Sequence, residues 1–524
     1  MRQNHLRGLM RGAWILSLGA LITKILSAVY RVPFQNIVGD TGFYVYQQVY
    51  PLYALAVVLA LSGGPVYISK RVAAAVGREK KAAAQRALAL LLVFCGVIFV
   101  SLLLFAPQIA GAMADVRLAP LIRTVAWLYL LVPFMAVTRG YFQGHNDMVA
   151  TASSQVVEQI VRVAIIILAA VVGHMWHWSI YLIGTIAMGG ALAGGLVVTR
   201  MLLPRMSREL DGELFPRTAP AEGWGTYTKT FFSEGGALVL FSALMILFQL
   251  VDSFTITKGL QQSGLTAATA RELKGIYDRG QPFVQLGLVV ATALAQGLLP
   301  ALTIAQKKHA HNFYNRTAVM MLHLAVVSAT LATTGLMALM PFANQLLFGN
   351  RGGTTSLIIY VVSVALVAAI NAVASLLQSQ DQFRTTTVAM IAGVAVKIAL
   401  TTILTRLFGT AGAALATCLG LGMTLALVYR SLSPIIRFSM WQNGFRRRLM
   451  CLALSVLVTG WIATGLIGST TRFGALVACA MVGCICLLVA FWVSYRMRLL
   501  TVREILVLPG GSKVLRWFGK HQTK

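Results

Sequence analysis

Six residues able to carry charge fall inside long apolar runs: Lys24, Arg31, Glu158, Arg162, Asp252 and Lys397. A charge at the centre of a bilayer costs at least about 2.5–3.5 kcal/mol, so such residues face a cavity or a partner. Lys24 and Arg31 lie seven apart in one helical stretch and share a face. No acid accompanies them, so they form a cationic stripe suited to a phosphate or pyrophosphate. For Arg31 the competing account is snorkelling to the outer surface. Glu158 and Arg162 stand at i,i+4 in the favourable order. They either neutralise each other or line a gate or cavity wall. Asp252 is placed to pair with a cation or hold a coupling ion. Lys397, mid-helix with no local acid, is a second-lobe cavity candidate.

No catalytic kit accompanies these charges. Walker A, HExxH and GxSxG patterns do not occur, which argues against a self-contained ATP-driven pump and against the common hydrolase chemistries. Energy is then expected from a gradient or the membrane potential, with no cofactor and no metal beyond a coupling ion. The six cysteines sit in apolar runs without a CxxC and read as small buried hydrophobes.

The elements that must position the charges follow from composition. Of 524 residues, 58% are hydrophobic and 11% charged, against about 25% charged in soluble domains. At roughly 20 apolar residues per crossing, the chain reads as an all-α polytopic membrane protein with fourteen transmembrane helices. Helix 1 covers about 12–32, helix 2 45–68, helix 4 120–139 with Arg139 counted at its cytoplasmic end, helix 5 152–173, helix 7 230–256 and helix 8 282–303. Helices 11 and 12 (386–406 and 410–429) are joined tightly at Phe408-Gly409, and helices 13 and 14 cover 449–468 and 473–495. The N-terminus, with Arg2, Arg7 and Arg11, resembles a signal peptide, but Lys24 interrupts its apolar stretch, and an uncleaved first span fits better. The net charge of +29 would suggest nucleic acid in a soluble protein. With both termini cytoplasmic, however, 31 of the 44 Lys and Arg fall on the inner side and nine on the outer. That asymmetry is the positive-inside pattern, so no nucleic-acid partner is expected.

A polar stretch near 204–228 separates a first lobe of six helices (1–203) from a second (229–430). Helices 13–14 and a basic cytoplasmic tail follow (431–524). Shifting Gly42–Gly64 by 233 positions aligns it with Gly275–Gly297, matching Gly42/Gly275, Tyr44/Tyr277 and Gln48/Gln281 among others. A repeat that pairs even helix with even helix is a parallel one. Helix breakers occur at corresponding places, Gly63-Gly64-Pro65 and Gly297 with Pro300, and mark candidate hinges.

Two segments resemble a known family. One is Arg139-Gly140-Tyr141-Phe142-Gln143-Gly144-His145-Asn146-Asp147-Met148 followed by Ser154-Gln155-Val156-Val157-Glu158-Gln159-Ile160-Val161-Arg162. The other is Gly39-Asp40-Thr41-Gly42-Phe43-Tyr44 through Tyr50-Pro51-Leu52-Tyr53. Both resemble the branch of the MOP (MATE-like) exporters that holds stage V sporulation protein B and the lipid II flippases. The resemblance implies two helical lobes around an alternately opening cavity, a lipid-linked oligosaccharide as cargo and a groove at helices 13–14 for its polyprenyl tail. Lys24 and Arg31 would then serve the head group. A plasma-membrane location, a monomeric chain and cell-wall synthesis proteins as partners are the accompanying expectations. Helix 5 lacks the proline this family often has near its start, where the chain reads Val149-Ala150-Thr151, and Tyr53–Leu61 lacks the arginine of the more distant lipid II flippases. A MATE-type drug or cation antiporter would want buried acids. A membrane glycosyltransferase or polymerase would want catalytic acids in the outer loop at about 257–281, which holds only Glu272 and Asp278.

Overall fold

The computed structural model describes residues 18–213, 223–296, 310–380, 382–468 and 471–507, with isolated positions 16, 298, 302, 305 and 306. Every regular element among them is helical, as a bilayer demands of any chain that is not a closed barrel. Eleven helical segments are long and apolar enough to cross a membrane. Two of these, Leu18–Ala74 and Phe383–Arg430, each cover two expected spans, and helix 8 appears as the 17-residue Gly280–Gln296. The expected spans thus fall on helical segments, and the end of helix 8 beyond residue 296 lies largely outside the described residues.

In chain order the helices are α1 (residues 18–29), α2 (Arg31–Leu61), α3 (Gly63–Ala74), α4 (Arg78–Leu104), α5 (Ala106–Ala112), α6 (Ala119–Gly144), α7 (Met148–Met175) and α8 (Ile180–Glu209). Next come α9 (Trp224–Thr230), α10 (Gly236–Gln262), α11 (Ala267–Asp278) and α12 (Gly280–Gln296). The last are α13 (His311–Phe348), α14 (Thr354–Ser379), α15 (Phe383–Arg430), α16 (Pro434–Met440), α17 (Phe445–Leu466), α18 (Arg472–Arg496) and α19 (Val502–Val507).

The loop expected between helices 1 and 2 is compressed to a kink inside α2. Gly39 adopts φ 72°, ψ −180°, a region essentially reserved for glycine, so one residue redirects the chain. Gly409 does the same within α15 at φ 59°, ψ −143°, where the Phe408-Gly409 connection was expected. The helix-2 breaker acts at Ser62 (φ −118°, ψ −82°), which separates α2 from α3. Gly63 follows because α10 approaches there: a Cβ would fall within 3 Å of the Val239 backbone. Gly64 and Pro65 lie in the first turn of α3. Gly297 and Pro300 lie outside the described residues.

The chain divides into two compact units, one of residues 1–282 with 397–413, the other of residues 283–396 with 414–524. This cut differs from the lobe boundary near 204–228, because α10 and α11 both pack on α2. The first unit is built around an aromatic-rich core including Phe34, Phe43, Tyr44 and Tyr46. Both glutamines of the aligned repeat segments are buried there and bond α10. Gln48 Nε2 donates to the Ser253 carbonyl (2.5 Å), and Gln281 Oε1 accepts from Gln249 Nε2 (2.5 Å). In the second unit the long α13 packs against α14, α17 and α18.

Candidate functional site

Three groups of buried charge in the first unit bear on the candidate residues. The first begins where the Asp147 side chain caps α7 by accepting the Ala150 N–H (3.2 Å). This start stacks Ser154, Glu158 and Arg162 one turn apart on the buried face. Arg162 is 3% exposed, and among the described residues its guanidinium donates only to neutral oxygens. These are the phenol of Tyr53 (2.7 Å), Tyr30 (2.7 Å) and Tyr46 (3.3 Å) and the Gln159 side chain (3.1 Å). It also lies over the Tyr53 ring at 4.4 Å. Arg31, fully buried, sits 4.6 Å from the Tyr50 ring centre, and Arg162 sits 6.0 Å from the same ring. Two guanidiniums therefore lie close to one aromatic ring, which offers each a cation–quadrupole attraction.

In the second group Arg139, fully buried near the end of α6, reaches two other helices, α7 and α2. Its Nη2 pairs with Glu158 Oε2 (2.7 Å), its Nε donates to Ser154 Oγ (3.0 Å) and its Nη1 to the Ala60 carbonyl (3.2 Å). The last bond has a plain cause. The break at Ser62 strips the end of α2 of its next helical turn, leaving carbonyls in need of donors.

The third group joins α2, α10, α11 and α15. Lys397 Nζ lies 2.8 Å from Asp252 Oδ1, and Lys274 pairs with Asp278 at 2.5 Å one turn along α11. Arg279 donates to both oxygens of Asp40 (2.9 and 2.5 Å), which also accepts from Gln35 (2.8 Å). Asp252, Lys397, Lys274 and Asp278 are each 3% exposed or less.

These placements revise several expectations. Glu158 and Arg162 do not neutralise each other, because Arg139 claims the carboxylate. Asp252 and Lys397, considered separately in the sequence, are partners. Lys24 and Arg31 do not share an environment: Arg31 packs inward on Tyr50, whereas Lys24 is exposed, since close packing of that stretch sets in near Ala28 and Tyr30. Arg139, Lys274, Asp278 and Arg279 were assigned to loops and helix ends, yet all are buried. The i,i+4 spacing of Lys274 and Asp278 was their available signal. So was the one-face spacing of Tyr46, Tyr50 and Tyr53 for the phenol cage.

The second unit holds an apolar groove of about 840 Å³ between α13, α17 and α18, lined by Leu331, Gly335, Val456, Gly483, Leu487 and Phe491 among others. Close by, α19 is tied to α13. His323 Nδ1 meets Glu504 Oε1 (2.7 Å), its Nε2 meets the Met440 carbonyl (2.9 Å), and its ring stacks on Phe445 at 4.0 Å.

Comparison with known proteins agrees with this architecture. The family described as "Polysaccharide biosynthesis protein" matches residues 9–304. The chain is 34% identical over 528 residues to "Uncharacterized membrane protein YabM" of Bacillus subtilis (strain 168), covering 98% of this chain and 97% of that one. It is 27% identical over 476 residues to "Lipid II flippase MurJ" of the same organism (86% and 87% covered). It is 35% identical over 162 residues to the "Stage V sporulation protein B" of that organism (30% and 31% covered). The fold is shared with a lipid II flippase MurJ in an inward closed conformation, at TM-score 0.68 and 13% identity over 92% of this chain and 98% of that one. It is shared also with an inward-facing multidrug MATE transporter of the MOP superfamily, at TM-score 0.62 and 13% identity over 84% and 98%. The chain is thus a multi-pass membrane protein that belongs to the polysaccharide biosynthesis protein family.

Proposed function

We propose that the chain is an alternating-access flippase that moves a polyprenyl-pyrophosphate-linked sugar, of the lipid II type or a related oligosaccharide, from the inner to the outer leaflet of the plasma membrane. The observation that carries this reading is the pair of buried guanidiniums, Arg31 and Arg162, around Tyr50. Arg162 spends its hydrogen bonds on neutral phenols and an amide. A guanidinium so held retains its full charge for an anion once the cage opens, and its planar donors match phosphate oxygens. Lys24, exposed on the preceding helix, supplies a first contact for the same head group. The groove between α13, α17 and α18 offers an apolar bed for a polyprenyl chain, each buried methylene of which is worth about 0.8 kcal/mol.

The drug-antiporter alternative is less well supported. Among the described residues the buried acids all have a basic neighbour: Asp115 with Arg117, Glu158 with Arg139, Asp252 with Lys397, Asp278 with Lys274 and Glu504 with His323. A cationic drug would meet no unneutralised carboxylate in this arrangement. The test is translocation of defined lipid-linked sugars in proteoliposomes, together with complementation of a flippase-depleted strain. Lys24→Ala with Arg31→Ala is expected to abolish transport while the protein still folds and inserts. Unchanged complementation by that double variant would overturn the assignment.

A further inference from the structure

Glu158 has two basic residues to choose from, and the choice decides the charge of the cage. It stands one helical turn before Arg162 on α7, the spacing and order at which a glutamate and an arginine ordinarily pair. It is also close enough to Tyr53, a holder of Arg162, for its charge to act on that phenol. Its carboxylate is nevertheless taken by Arg139 at 2.7 Å, and Arg139 is fixed from two further sides by Ser154 and the Ala60 carbonyl. We propose that Arg139 is a specificity-determining positioning residue: by sequestering Glu158 it keeps Arg162 free of any carboxylate and so keeps the Arg31–Arg162 cage cationic and selective for anionic head groups.

This assignment rests on the lipid-pyrophosphate reading, and it explains a feature that reading leaves open. An arginine four residues after a buried glutamate would normally be a neutralised pair. Here a third residue, from a different helix, removes the neutralising partner. Without Arg139, the Glu158 carboxylate would be left buried with an unpaired charge, and its nearest relief is the Arg162 guanidinium one turn away. Arg162 would then no longer offer an uncompensated positive charge.

The test compares variants of the full chain in detergent, using undecaprenyl pyrophosphate as the probe and thermal unfolding as a parallel readout. Arg139→Met and Glu158→Gln both break the same ion pair, so a purely structural role moves both variants alike in binding and in stability. The proposal separates them. Arg139→Met should weaken probe binding by about tenfold or more, whereas Glu158→Gln should stay within about twofold of wild type. Arg139→Met/Glu158→Gln should regain the lost affinity. Gln159→Glu tests the same idea without touching Arg139, and covers the case in which Arg139→Met does not fold. Gln159 already contacts Arg162 at 3.1 Å, so a carboxylate there neutralises Arg162 directly and should cost a similar factor. Equal losses in Arg139→Met and Glu158→Gln, or wild-type binding by Gln159→Glu, overturn the proposal alone. A wild-type chain that does not hold the probe overturns the underlying reading and this proposal with it.

Discussion

The pairing of Asp252 with Lys397 makes a quantitative prediction about how the first unit is held together. Both side chains are buried, at 2% and 0% exposure, and their charges are 2.8 Å apart. Lys397→Met keeps the apolar stem and deletes the ammonium, which lies 5.3 Å from the Phe248 ring centre. The Asp252 carboxylate is then left in a buried site. Breaking a buried pair from one side costs about 3–5 kcal/mol, whereas replacing both partners by uncharged groups of similar size is often neutral. Lys274 also acts on Asp252 through space and supplies part of the missing charge, so the lower end, about 3 kcal/mol, is expected. That is roughly a 10²-fold shift in the folding equilibrium. Asp252→Asn/Lys397→Met should recover most of the loss, giving a coupling energy of about 2 kcal/mol or more, within the range seen for contacting residues. Equilibrium unfolding in mixed micelles, run as a double-mutant cycle, measures both quantities. A Lys397→Met variant within about 0.5 kcal/mol of wild type, or single losses that simply add, would refute the reasoning, since neither is compatible with a desolvated ion pair.

Three further outcomes follow from the geometry. Arg162→Lys keeps the charge but cannot reach Tyr30, Tyr53 and Gln159 with one planar fork, so it should destabilise by about 1.5–3 kcal/mol, the value of a charged hydrogen bond; an unfolding midpoint equal to wild type would contradict the phenol cage. Gly39→Ala places a Cβ at φ 72°, ψ −180° and should cost about 1–3 kcal/mol, measured by the same unfolding assay and contradicted by a neutral result. At Glu504, burial alone would raise the carboxyl, but hydrogen bonds from His323 and from the Thr501 backbone and hydroxyl outweigh it and hold the group below its ordinary value. The stabilisation of α19 is therefore complete above the ordinary glutamate range, roughly 4.3, and is lost as pH falls through the lowered value. Hydrogen exchange of residues 502–507 should rise in that window, and Glu504→Gln should remove the dependence.

How much of this was legible in the sequence depends on what kind of information each feature needs. The apolar runs are local, and a membrane enforces helix on each of them, so the spans could be read directly. The ends of spans were less legible, and that is where the important errors arose. Helix 4 was expected to stop near Arg139, which made the arginine look like one more cytoplasmic charge; α6 instead continues to Gly144, carrying Arg139 into the packed interior. The outer loop at 257–281 was misjudged for the same reason, since α10 runs to Gln262 and α11 fills 267–278. Hydropathy cannot separate a charge at a helix end from one buried beyond it, because the cost of burial is met by a partner distant in sequence. Asp252 and Lys397 illustrate this: each was suspicious alone, and only the packing of α15 on α10 identifies one as the answer to the other. Glu158 and Arg162 show the converse. Their spacing argued correctly that they share a face, yet spacing says nothing of competitors, and Arg139 outbid Arg162 for the carboxylate with support from Ser154 and Ala60. The tyrosines escaped notice because an aromatic counts as apolar in any hydropathy sum, although its hydroxyl is the polar group that holds Arg162. A better reading of such sequences would treat every buried base as a question about the nearest available oxygen, phenolic oxygens included. It would accept a carboxylate as the answer only after the other bases within reach had been considered.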